Sequence, residues 1–400
     1  MSALLARLSG LDASPPVVPS PKGQDRFWFT GLLLVIVALA VTVTLFLYEA
    51  PWDIDNGSYV NLALGQVSEV YRPYANRMLH PLMVRGVAAA LGTQPSVGSS
   101  AWWIVQIAFL AAFMVGAVAL VARLLYRADA SPSWVARNFA YALLLLVSPL
   151  WCVWGGNPYI QDVPVAAFGI FFFHALIGGR MAVALACLAL MVLTRESSVV
   201  VAATLFFCAA CARRWKLAAG TCLVTAGAMA FSAWLGRESP GSVSGMGSFS
   251  YMATKTLAAG CYNLLGVHLW TDMHAVKLPW FYPDAPAWSM DLPAWVRLGG
   301  VRSVGIYTFD PLHVMNTLAL WVLPLVPPAL VLFLSRRMAS LRTLLSPRSL
   351  PLAVQVAALS GLLFWLSQPF AGYSPWRYLG YIWPFAWIVV PWLIRSQIRK

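Results

Sequence analysis

The chain has 400 residues, 60% of them hydrophobic and 10% charged, against about half and about a quarter in soluble globular domains. That balance excludes a water-soluble fold. A net charge of +13 would point to nucleic acid in a soluble protein, but beside so much apolar sequence it reads as a topology signal, and no nucleic-acid partner is expected.

Residues 1–26 contain Pro15, Pro16, Pro19 and Pro21 and no early apolar core, so they are expected to form a disordered cytoplasmic leader and not a signal peptide. Apolar runs of membrane-crossing character then follow at Phe27–Tyr48, Ala101–Tyr126, Asn138–Trp154, Val163–Gly178 and Met181–Leu193. Five more lie at Ser197–Ala212, Leu217–Leu235, Leu312–Ser335, Leu352–Leu366 and Trp376–Ile394. The expected fold is an all-α polytopic membrane protein of about ten transmembrane helices. Its organisation reads as an N-terminal transmembrane module over 27–236 with a long first outer loop over 49–100, an outer loop or flap over 237–310, and C-terminal helices over 311–400. The six cysteines form no metal or disulfide framework; Cys208 and Cys211 make a lone CxxC inside an apolar run and are read as packing.

Counting from a cytoplasmic N-terminus, most of the 27 Lys and Arg fall on the inner segments although the outer ones are longer. Of the 14 acids only Asp12, Asp25 and Asp129 fall inside. Both termini are therefore expected in the cytoplasm, and the reactive side chains at the outer face. A multi-pass protein of the bacterial inner membrane, with its site toward the periplasm, fits that distribution.

The first outer loop opens with Asp53 and Asp55, and Asp55, Tyr59 and Ala63 follow at i, i+4 and i+8, one face of a helix with Asp55 at its N-terminus. A helix cap would account for one acid and not for two. Arg72 and Arg77 come next, then a stretch in which Arg77, His80 and Arg85 fall on one side and apolar residues elsewhere, the pattern of a helix lying along the membrane surface. Two outer turns add Asp162 and the pair Arg195-Glu196, which either neutralise one another or serve a site. Arg377 and Tyr378, at the outer start of the last span, place a guanidinium beside an aromatic ring, a suitable arrangement for a phosphate and its attached group. Asp53 and Asp55 together also have the oxygen ligands that Mg²⁺ or Mn²⁺ takes, and metal dependence stays open.

The spacing Asp55-x3-Tyr59-x3-Ala63 at the start of a long first outer loop, the acid in the next outer turn, and Arg377-Tyr378-Leu379 with Pro384 in the final span resemble the GT-C superfamily of integral-membrane glycosyltransferases, which includes the aminoarabinose and protein mannosyl transferases. The resemblance implies an inverting glycosyltransferase that moves a sugar from a polyprenyl-phosphate donor to a glycan, lipid or protein acceptor at the outer face. It implies Asp55 as catalytic base with Asp53 as its rival, and Arg377 as ligand of the lipid phosphate. Asp162 and Glu196 join the candidate catalytic acids, Arg72, Arg77 and Arg195 the candidate phosphate ligands, and Tyr59, His80 and Tyr378 the candidate substrate contacts.

Within 237–310, the Gly/Ser-rich stretch Ser239–Ser250 reads as a hinge or flap. The aromatic stretch with Trp270, Trp280, Phe281, Tyr282, Trp288 and Trp295 reads as an interfacial belt or a stacking platform for sugar and prenyl groups. His268, Asp272 and His274 read as a solvated loop and not a metal site. An outer-face polysaccharide polymerase or ligase is the nearer alternative. A secondary transporter is the more distant one, because its ionisable residues would sit at mid-helix.

Overall fold

The computed structural model describes residues 54–72, 74–125, 161–240, 249–271, 288–294, 302–322 and 350–370, with positions 159, 325, 388, 389 and 392 besides. The expected spans Phe27–Tyr48 and Asn138–Trp154 lie outside them, as does Trp376–Ile394 apart from positions 388, 389 and 392. The chain divides into two units, one of residues 1–240, 327–361 and 383–400, the other of 241–326 and 362–382.

In the first unit α1 (Ile54–Leu64), α2 (Leu79–Ala90) and α3 (Ser100–Leu125) are followed by α4 (Asp162–Ile177), α5 (Met181–Thr194), α6 (Val199–Cys211) and α7 (Trp215–Leu235). Among the described residues three helices are long and apolar enough to cross a membrane: α3, α7, and α10 (Leu352–Ser367) with the 3₁₀ turn that extends it to Phe370. Helices α4, α5 and α6 are apolar but shorter. Where described, the expected spans and the helices agree to within a few residues, because uncharged runs of Ala, Leu, Val and Phe satisfy their backbone internally and bury their side chains against each other. Pro81 and Pro164 each fall in a first helical turn, where the missing N–H costs little.

The helices pair as hairpins. Helix α4 has 16 residues and α5 has 14, about 24 and about 21 Å long, so the chain returns to the level at which it started. Between them Gly179 adopts φ +70° and the Arg180 N–H bonds the Ala175 carbonyl at 2.8 Å, the Schellman-type stop that a residue with a Cβ would resist. Helix α4 packs on α3 and α5, and α7 packs on α5 and α6. The first loop packs Tyr59, Leu62, Ala63, Val70, Met78 and Val84 into a core shared with Trp102 of α3 and with Tyr159.

The second unit corrects the all-α expectation. Helix α8 (Phe249–Leu265) leads into a three-stranded antiparallel sheet of β1 (Val267–Thr271), β2 (Trp288–Asp291) and β3 (Ser303–Phe309) in the order β1-β3-β2, followed by α9 (Pro311–Val322). Val267 pairs with Phe309 and Thr271 with Val304, while Trp288 faces Ile306 on the other side of β3. These strands are short, β-branched and aromatic, so they make no signal in a window scaled to membrane spans. The Asp310 carboxylate caps α9 by accepting the His313 N–H at 3.0 Å, with Pro311 at the first helical position.

Candidate functional site

The similar lengths of α4 and α5 bring Asp162, at the start of the hairpin, level with Arg195 and Glu196, at its end. Arg195 is extended, with φ −155° and ψ 128°, and successive side chains of an extended backbone point to opposite sides. The two neighbours accordingly take different partners. Arg195 Nη1 donates to Asp162 Oδ1, in a pair whose side chains are 9% and 0% exposed. Glu196 turns the other way and receives Arg77 from the first loop. The mutual Arg195-Glu196 pair considered from the sequence is thus replaced by two crossed pairs.

Arg77 is held from several directions. Its Nε donates to Glu196 Oε2 at 2.8 Å, its Nη2 donates to Glu196 Oε1, and its Nη1 donates to the Tyr59 hydroxyl at 2.9 Å. The guanidinium carbon lies 5.4 Å from the centre of the Tyr74 ring, which stands edge-on to Tyr59. Behind the side chain, Gln161 Nε2 donates to the Arg77 carbonyl at 2.8 Å and the Ser232 hydroxyl donates to the Asn76 carbonyl. Burial alone would pull the Arg77 pKa down, but Tyr59 and Glu196 outweigh it and hold the group well above its ordinary value. Burial would likewise push the Glu196 carboxyl up, and the hydrogen bonds and charge of Arg77, with Arg195 beyond, hold it below the usual range.

Helix α7 ends against this arrangement. A Cβ built on Gly236 would lie 2.8 Å from both the Ala75 carbonyl and Asn76 Oδ1, so only glycine lets the end of α7 approach the turn Tyr74–Asn76 that leads into Arg77. The Ser239 hydroxyl donates to the Val70 carbonyl at 2.7 Å. Segments from the first loop, the α4 start, the α5–α6 turn and the α7 end therefore meet at one end of the hairpins.

Helix α2 differs from the surface helix expected from its sequence. The face shared by His80, Val84 and Ala88 is the buried one, while Leu82, Met83 and Arg85 are exposed. His80 has no exposure, its ring sits edge-on to Trp102 at 5.5 Å, and neither ring nitrogen has a hydrogen-bond partner. Burial lowers its pKa to about 3, and the ring packs in the core at Trp102. On the outer side of α2, Met83, Gly86, Val87 and Ala90 face Ile104, Ala108 and Phe109 of α3 across an apolar groove of about 560 Å³.

The remaining candidates divide plainly. Tyr59, Arg77, Asp162, Arg195 and Glu196 come together; Arg72 is exposed and takes no part in the cluster. Asp55 is the second residue of α1, one turn before Tyr59. Asp53, Arg377 and Tyr378 lie outside the described residues. Among the described residues no group of three or more His, Cys, Asp or Glu is placed to hold a metal ion. Gln161, Ser232 and Gly236 were not expected at the site. The polar Gln161 beside Asp162 was the one available hint, whereas Ser232 and Gly236 look like ordinary small residues at a helix end. No known protein family, curated protein or solved structure matches the chain.

Proposed function

We propose that this chain is an inverting glycosyltransferase of the outer membrane face, working on a sugar carried by a polyprenyl phosphate. The observation that supports this most is the meeting of Arg77 and Tyr59 with Asp162, Arg195 and Glu196 at the ends of apolar helices, one helical turn from Asp55. Nucleotide sugars are cytoplasmic, so an outer-face transferase needs a lipid-borne donor. In this reading Asp55 accepts the proton of the acceptor hydroxyl as it attacks the anomeric carbon, with Asp53 nearby in sequence as rival or as partner on Mg²⁺ or Mn²⁺. Arg77 offsets charge growing on the departing phosphate; Arg377 stays the phosphate ligand that the sequence resemblance implies. Asp162 is a positioning residue, because its carboxylate is already committed to Arg195 and fully buried. The groove between α2 and α3 begins beyond Arg77 on the same stretch of chain, and its apolar lining suits a prenyl tail.

The test is Asp55→Asn, which keeps size and most capping ability while removing the proton acceptor. Transfer from a polyprenyl-phosphate sugar should fall by about 10² or more, with donor binding and thermal stability near wild type. Full activity in a stable Asp55→Asn protein would sink the base assignment and bring Asp53 forward. Orientation is tested separately by cysteines placed in intact cells. A membrane-impermeant thiol reagent should label Ser244→Cys and spare Ser346→Cys, and the reverse would turn the site inward.

A further inference from the structure

The two crossed ion pairs are not equivalent. Asp162 and Arg195 are sealed, whereas the Glu196 side chain is 46% exposed beside an Arg77 that is 12% exposed. Glu196 also presents two oxygens to the Nε and Nη2 edge of the guanidinium, the fork that carboxylates and phosphates bind in the same bidentate way. Arg77 does not depend on Glu196 for its position, because Tyr59, the Tyr74 ring and the bond from Gln161 to its carbonyl hold it independently. The hydroxyls of Ser197 and Ser198, which follow Glu196 in the 3₁₀ turn Glu196–Ser198, are buried and have no hydrogen-bond partner, leaving donors unspent within a turn of the carboxylate.

We infer that Glu196 is a resident stand-in for a phosphate group, and that a phosphorylated ligand binds by exchange, displacing the half-exposed carboxylate from Arg77 into solvent. The inference rests on the reading that Arg77 serves a phosphate and adds what occupies it beforehand. Exchange keeps the guanidinium paired in both states, so the site never holds an unpaired partly buried charge. It also lowers affinity for any anion too weak to replace a bidentate carboxylate, which selects against ligands without a phosphate. The ligand chemistry is a phosphate group, carried by a lipid or free in solution.

Titration of the purified full-length protein in detergent with farnesyl phosphate, inorganic phosphate and farnesol tests the exchange. Glu196→Gln should tighten farnesyl phosphate about fivefold, the factor set by a half-exposed ion pair, and leave farnesol unchanged. Glu69→Gln supplies a control for general charge removal, since Glu69 is an exposed first-loop carboxylate that accepts from Asn61 at 3.4 Å; it should change affinity less than about twofold. Tightening of inorganic phosphate alone would support the exchange with a free anion as ligand, and a larger gain for the prenyl ester would support it with a lipid. If farnesyl phosphate or inorganic phosphate binds wild type and Glu196→Gln tightens neither, or Glu69→Gln tightens them as much, the exchange is overturned while Arg77 keeps its phosphate. Absence of binding to every folded variant overturns both. Should Glu196→Gln fail to fold, Glu196→Asp, with a shorter reach, should still tighten farnesyl phosphate, and no gain there also counts against the exchange.

Discussion

Two polar clusters close helix ends in this chain, and they are built on different electrostatic terms. In the first unit the cluster is made of opposite charges, Arg195 paired with Asp162 and Arg77 with Glu196. In the second unit the cluster is made of uncharged groups. Asn263, fully buried, donates to the Pro369 carbonyl at 2.8 Å and pairs through Oδ1 with His313 Nε2 at 2.9 Å; the Thr317 hydroxyl lies 3.3 Å from the same nitrogen, and Tyr262 stacks on the ring at 3.8 Å. The neutral cluster is a clamp between α8, α9 and the turn after α10. Losing one member there leaves a dipole unsatisfied; losing one member of the charged cluster leaves a whole charge.

The largest effect is expected of Asp162→Asn, which removes the carboxylate paired with the Arg195 guanidinium at 9% exposure. A loss of about 3–5 kcal/mol is expected by thermal unfolding in detergent, with much of it recovered by adding Arg195→Met. A loss below about 1 kcal/mol would mean that the buried charge finds another partner. Asn263→Leu tests the neutral side and should cost about 1–3 kcal/mol, because His313 and the Pro369 carbonyl lose their partner together. Glu196→Gln should cost under about 1 kcal/mol, since its half-exposed carboxylate is replaceable by water. A cost equal to that of Asp162→Asn would erase the asymmetry between the two pairs.

His80 gives the smallest expected effect at neutral pH and the clearest one in acid. With both nitrogens unpaired in an apolar core, His80→Leu should range from neutral to a gain of about 1 kcal/mol at pH 7. Its folded pKa of about 3 lies below the ordinary 6.5, so the unfolded chain takes up a proton that the native ring refuses. Stability is complete above pH 6.5 and declines toward pH 3, by at most about 1.4 kcal/mol per unit from this group. The contribution of Glu196, whose carboxyl is held below its ordinary range, is lost in the same direction as pH falls. His80→Leu should flatten the profile between pH 6.5 and 4; an unchanged profile would show that the ring gains a partner in solution.

Apolar run length carried the helical part of the fold: the bounds of α3, α4, α5 and α7 were readable because a span without charges has few alternatives. The sheet was not readable, since β1, β2 and β3 lie far apart in a polar segment and are defined by pairing across it. At the site, residue chemistry singled out Tyr59, Arg77, Asp162, Arg195 and Glu196. It did not reveal who pairs with whom, because that depends on the extended conformation of Arg195 and the matched lengths of α4 and α5. The burial of His80 was hidden for a related reason. The helical pattern that places it with Arg77 and Arg85 does not say which side of α2 meets Trp102.

The end of α7 has a consequence for inheritance as well as for packing. Gly236 lies far along the chain from Arg77, yet any side chain there must push the turn that aims the guanidinium, and displacements of about 1 Å are enough to cost a reaction about 10² in rate. On the proposed function, a Gly236→Ala allele should therefore look like a lesion in Arg77 itself: protein present at near-normal abundance, helices intact, sugar transfer lost.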